Sequence, residues 1–117
     1  MTALLDRENV RSQFKQVVNM SAGELTKWLE TDESQRVGWK GTDGSRSESI
    51  GHASGRRIVA ILAKGDDALD ADDYAHMRKV VGYIRRHRAQ RPQNIYTSRW
   101  RYSLMNWGHD PVKEDEQ

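Results

Sequence analysis

The chain has no cysteine, two prolines and one phenylalanine in 117 residues. Without thiols there is no disulfide framework, no thiol catalysis and no thiolate metal site, and nothing favours secretion. A reducing cytoplasm is the expected setting. No apolar run approaches the roughly 20 residues of a membrane span. Asp6 and Glu8 fall within the first ten residues, where a signal peptide needs an apolar stretch. Hydrophobic residues are also scarce, at 36% against 31% charged, close to the balance of chains that cannot bury enough surface to fold. Four Trp, four Tyr and a net charge of only +2 argue against disorder, because disordered chains are poor in aromatics and held open by self-repulsion. The expectation is one folded domain over residues 1–112, followed by a frayed acidic tail at 113–117.

The small net charge conceals a segregation along the chain. Residues 1–73 hold 10 Lys+Arg against 13 Asp+Glu, residues 74–109 hold 8 against none, and residues 110–117 hold 1 against 4. The middle block carries Arg78, Lys79, Arg85, Arg86, Arg88, Arg91, Arg99 and Arg101. Two readings compete. Asp66, Asp67, Asp70, Asp72 and Asp73 fold back to neutralise these cations, or the cations form an electrostatic footprint for a polyanion.

The periodicity predicts helices and no strand. Val10, Phe14, Val17 and Val18 recur at helical spacing within Asp6–Asn19. Ser21 to Glu24 has the capping-box form and precedes Leu25, Trp28 and Leu29, so a short second helix is expected to end near Glu30. Gly38 to Gly51 is rich in Gly, Ser and Thr and reads as a surface loop, with Gly41 to Ser47 its most mobile part. A third helix is expected from about His52 to Gly65, a residue suited to a left-handed stop. The fourth, Ala71 to about Arg88, has Asp70 as N-cap, Asp73 at N3 and a Leu69/Tyr74 staple. A fifth follows a Thr97 or Ser98 cap, carries Trp100, Leu104 and Trp107 on one face, and stops at Gly108. Helices one to three are expected to pack around the fourth, with the fifth closing an all-α orthogonal bundle.

On the fourth helix, Tyr74, Met77, Val80, Val81 and Ile84 form a core stripe. Arg78, Lys79, Arg85 and Arg86 fall on an adjoining arc that has Ala75 and Gly82 at its middle. A mid-helix glycine there admits either a neighbouring helix or a ligand backbone. Trp100 and Tyr102 could stack on bases, as in single-strand binders; packing of Trp100 and Trp107 into the core is the competing reading, and Tyr96 is the expected exposed ring. Asp72 and Asp73 stand four and three residues before His76, a spacing that suits a metal or a tuned base but equally a local ion pair. The run Gly51 to Arg57 could offer amides, Arg56 and Arg57 to an anion. No P-loop, G-x-S-x-G or H-E-x-x-H occurs, so no catalytic residue, metal or cofactor is expected.

The strings WLETDESQRVGW, GHASGRRIVAIL, DDYAHMRKVVGYIRRHRAQRP and RWRYSLMNWGHDP resemble the family known as domain of unknown function 3140, over about Phe14 to Val112. The resemblance supplies no catalytic residues. Some relatives carry a DNA-binding label, which implies nucleic-acid binding as an expectation. Together these readings lead to a non-enzymatic DNA-binding protein, with RNA the other candidate ligand. Phosphates would be gripped by Arg78, Lys79, Arg85, Arg86 and Arg88, with Arg91, Arg99 and Arg101 as a second patch. The alternative is a protein-interaction or homodimerisation module using the same charge segregation.

Overall fold

A computed structural model describes residues 2–38 and 48–115. The element order is α1 (Thr2–Val17), α2 (Ala22–Leu29), α3 (Asp32–Arg36), α4 (Ile50–Ala63), a 3₁₀ turn (Asp66–Ala68), α5 (Ala71–Arg88), α6 (Arg99–Asn106) and α7 (Pro111–Asp115). Among the described residues there is no strand, and the chain is a small all-α bundle. The loop reading for Gly41 to Ser47 and the last two residues of the expected tail lie outside the described residues.

Local chemistry sets the helix starts. Ser21 Oγ accepts from Glu24 N (3.1 Å) while the Glu24 carboxylate accepts from Ser21 N (2.9 Å), so both orphan donors at the start of α2 are satisfied. The same reciprocal box opens α5: Asp70 Oδ1 accepts from Asp73 N (2.8 Å) and Asp73 Oδ2 from Asp70 N (3.1 Å). Ser49 caps α4 and Ser98 caps α6, so α4 starts at Ile50, two residues ahead of the expected His52. Gly108 has φ +85 and stops α6 in the left-handed conformation. Gly65 does not play that part for α4: its φ is −69, and the chain leaves the helix through an extended Lys64.

The apolar stripes meet as expected, in a different arrangement. Val10, Phe14, Val17 and Val18 of the first segment, Leu25 and Leu29 of α2, Ile58 and Ile61 of α4, and Met77, Val80, Val81 and Ile84 of α5 are buried in one cluster with Leu104 and Trp107. α1 packs chiefly on α5, whereas α2 packs chiefly on α4; α6 touches α2, α3, α4, α5 and α7. The fifth expected helix is therefore the hub and not the closing element. Gly55 is what lets α4 approach it: a Cβ there would stand 2.5 Å from the Asn106 carbonyl oxygen and 2.7 Å from a Leu29 methyl.

Asn106, 1% exposed, ties the polar side of that hub together. Its Oδ1 accepts from Trp28 Nε1 (2.7 Å) and Ser34 Oγ (2.5 Å), and its Nδ2 donates to the Ser34 carbonyl (3.0 Å). The last described helix is held too. Asn19 and the Asp110 backbone exchange two hydrogen bonds, and Lys113 Nζ donates to the Asn19 carbonyl and to Glu24. Residues 113–115, expected to fray, are thus helical and anchored to the α1–α2 junction.

Candidate nucleic-acid interface

The eight cations of the middle block divide into two groups. Arg101 is mostly buried; its Nε and one terminal nitrogen grip the two Asp110 oxygens (3.1 and 3.2 Å), and the other terminal nitrogen donates to the Tyr96 carbonyl (2.8 Å). Arg88 pairs with Glu114, and Arg91 pairs through both terminal nitrogens with Asp115. The expected second patch therefore loses Arg91 and Arg101 to carboxylates of the molecule itself, and the helix-four group loses Arg88. Arg78, Lys79, Arg85, Arg86 and Arg99 are exposed, and none forms an ion pair among the described residues.

The neutralising acids are not the ones expected. Asp66 lies near Arg11 and Lys15 of α1. Asp73, buried at the start of α5, takes Lys64 Nζ at 2.6 Å and Arg57 at 3.5 Å. The Lys64 bond, reinforced by the Asp70 amide, holds the Asp73 carboxyl below the usual aspartate range. The acids that do meet the middle block are Asp110, Glu114 and Asp115, from the far side of the sequence.

With about 100° per residue, Arg85, Arg78, Arg86 and Lys79 span an arc of about 120° on α5. Among the described residues, the three atoms nearest to where a Cβ of Gly82 would stand all belong to the Arg86 guanidinium, the nearest at 3.0 Å. The glycine gives Arg86 room to lie back along its own helix.

Several of the described aromatic rings pack on one another. Trp28 packs against Tyr102 (5.4 Å between centroids), and Trp100 Nε1 donates to the His87 carbonyl (2.6 Å). Trp107 is inserted between His76 and Tyr83, with near-parallel rings at 6.3 and 4.1 Å, and Tyr83 continues the pile onto His87 at 5.0 Å. Burial pushes the Tyr83 hydroxyl up from the ordinary tyrosine value and the His87 ring down from the ordinary histidine value. Trp100 and Tyr102, the rings expected to stack on bases, are both half-buried. Tyr96 is the exposed ring, at 64%.

Neither Asp72 nor Asp73 bonds His76. His76 Nε2 instead meets Ser54 Oγ at 2.9 Å, and burial, with Arg57 and Lys79 nearby, lowers its pKa. Arg56 is bound to Glu48 (2.8 Å), so the anion site expected around Arg56 and Arg57 does not assemble. No group of three potential metal ligands occurs among the described residues, and no described helix is long and apolar enough to cross a membrane.

The fold is that of a small all-α protein with a cation-rich fifth helix. The chain belongs to the family described as protein of unknown function (DUF3140), whose model matches residues 13–105. No curated protein and no solved structure matches the chain.

Proposed function

We propose that this protein binds DNA without catalysis, gripping phosphates through Arg78, Lys79, Arg85 and Arg86 of α5, with Arg99 alongside. One observation supports the reading: four cations on one arc of one helix are exposed and form no ion pair among the described residues, while Asp73, Asp110, Glu114 and Asp115 are engaged by other cations. Arginine forks suit phosphate oxygens, and release of condensed counterions supplies affinity without reading bases. Phosphate contacts position a protein and do not specify a sequence.

The test is an electrophoretic shift with random duplex DNA across a salt series. Five phosphate contacts give a log-log slope of about −4 to −5. Reversal of Arg85 and Arg86 to Glu weakens binding at least about tenfold while leaving the far-UV dichroism unchanged, since both side chains are exposed. Absence of any shift at low salt rejects the reading.

A second reading has its own observation. Asp67 and Asp72 are exposed near the opposite end of α5 and form no ion pair among the described residues, so two copies could pair basic end to acidic end. A salt-sensitive dimer in sedimentation, without a DNA shift, favours that arrangement.

A further inference from the structure

The unpaired cations do not all face open solvent. A cleft of about 310 Å³ lies between α5, α6 and the start of α4. Lys79 and Arg86 stand on its α5 side, Gly51 and Trp107 meet at its wall, and Tyr83 and Ser103 complete it. Among the described residues, no carboxylate lines it.

Trp107 supplies an observation independent of charge. Its side chain is 3% exposed, yet its indole N–H has no acceptor among the described residues. Trp28 and Trp100, by contrast, donate theirs to Asn106 and to the His87 carbonyl. The Trp107 nitrogen stands 3.0 Å from where a Cβ of Gly51 would be, so the glycine leaves it open to the cleft. The residue is buried but this nitrogen faces the cleft, so an acceptor placed there would meet a fixed, directed donor. Further donors converge beside it. Tyr83 and Ser103 share one hydrogen bond (2.6 Å), which leaves one hydroxyl hydrogen uncommitted. The first turn of the 14-residue α4 contains no acid of its own, and Glu48, just ahead of the Ser49 cap, is bound to His52 and Arg56.

We propose that this cleft binds a phosphomonoester dianion, with Lys79 and Arg86 supplying charge and the Trp107 N–H and the Tyr83/Ser103 pair supplying directed donors. The ligand is recognised by its phosphate and not by an aromatic base. Trp107 and Tyr83 already stack on each other, and Tyr83 stacks on His87. A monoester fits better than a diester inside a concave site, because it presents three terminal oxygens to converging donors and carries the second charge that two cations balance. The proposal shares Lys79 and Arg86 with the DNA reading but stands on the indole N–H.

The experiment follows the Trp107 indole ¹H–¹⁵N resonance during titration with inorganic phosphate at constant ionic strength. The expected result is a saturable shift, weakened at least about tenfold in Lys79→Ala/Arg86→Ala and unchanged in Arg78→Ala/Arg85→Ala. Lys79→Gln/Arg86→Gln, with native dichroism, is the second variant should the alanine pair not fold. No shift, an equal shift with sodium chloride, or a shift that survives loss of both Lys79 and Arg86 overturns the proposal. The two readings separate because Arg78→Ala/Arg85→Ala weakens duplex binding alone. Duplexes with a 5′-phosphate or a 5′-hydroxyl then identify the source. Preference for the phosphorylated end assigns the site to DNA termini, and equal binding of both assigns it to a small phosphorylated molecule.

Discussion

His87 carries a buried ring nitrogen, Nε2, that no group in the described structure satisfies. Its ring is held by stacking on Tyr83 and not by hydrogen bonding. His87→Phe keeps the stack and removes the orphan, so we expect a stability gain of about 1 kcal/mol in urea unfolding. The variant also changes the acid response. Because burial lowers the folded pKa of His87, the fold resists a proton that the unfolded chain takes near 6.5. Stability is therefore fully present above pH 6.5 and declines as pH falls toward the folded value, and His76 acts in the same direction. Glu24, bound by Lys113, and Glu48, bound by Arg56, are lowered to about 2; their contribution is present above 4.5 and is lost only as pH falls toward 2. Melting temperatures between pH 7 and 5 should fall less steeply for His87→Phe than for the native chain, and an identical slope would show that His87 does not titrate in this window. Gly55 is the opposite case. With 2.5 Å to a backbone oxygen, Gly55→Ala must separate α4 from α6, and a loss of about 1–3 kcal/mol is expected from the same measurement.

Among the helices, α5 was the most legible in the sequence, because cap, staple residues, apolar stripe and charge polarity all agreed, and its bounds are those expected. Asp70→Ala should cost about 1 kcal/mol, read as a lower urea midpoint with unchanged slope. Gly82→Ala should raise stability by up to about 1 kcal/mol through helix propensity, since only the movable end of Arg86 opposes a methyl group there. Other elements could not be read. In α3, Asp32–Arg36, every residue is polar, so no periodicity announces it; it persists because Thr31 caps it and the buried Ser34 bonds Asn106. The start of α4 was displaced because Ser49 sits in a run of turn-forming residues that disguises a cap. As for the interface, composition revealed which residues were cationic but not which were spent. Arg88, Arg91 and Arg101 meet acids 26, 24 and 9 residues away, and only the fold brings them together. The Trp107 N–H escaped for a related reason: the periodicity placed the ring correctly in the core without revealing whether its nitrogen would find a partner.

For the molecule as a whole, the last acids act as internal counterions. Glu114 and Asp115 cover Arg88 and Arg91 at the C-terminal end of α5, beside Arg85. Replacing them by Glu114→Gln/Asp115→Asn frees two guanidiniums. If α5 is the phosphate-binding element, the salt slope steepens by about 2 and low-salt affinity rises; an unchanged slope would mean that DNA never reaches that end of the helix. The four-ring pile has a consequence of another kind. Because it joins α6 to α5 face to face, the indole transition of Trp107 is coupled to that of a phenol 4.1 Å away, and the resulting near-ultraviolet ellipticity should vanish when the two helices part even if both stay coiled. Comparing that band with the 222 nm signal gives the molecule a built-in gauge of tertiary against secondary order.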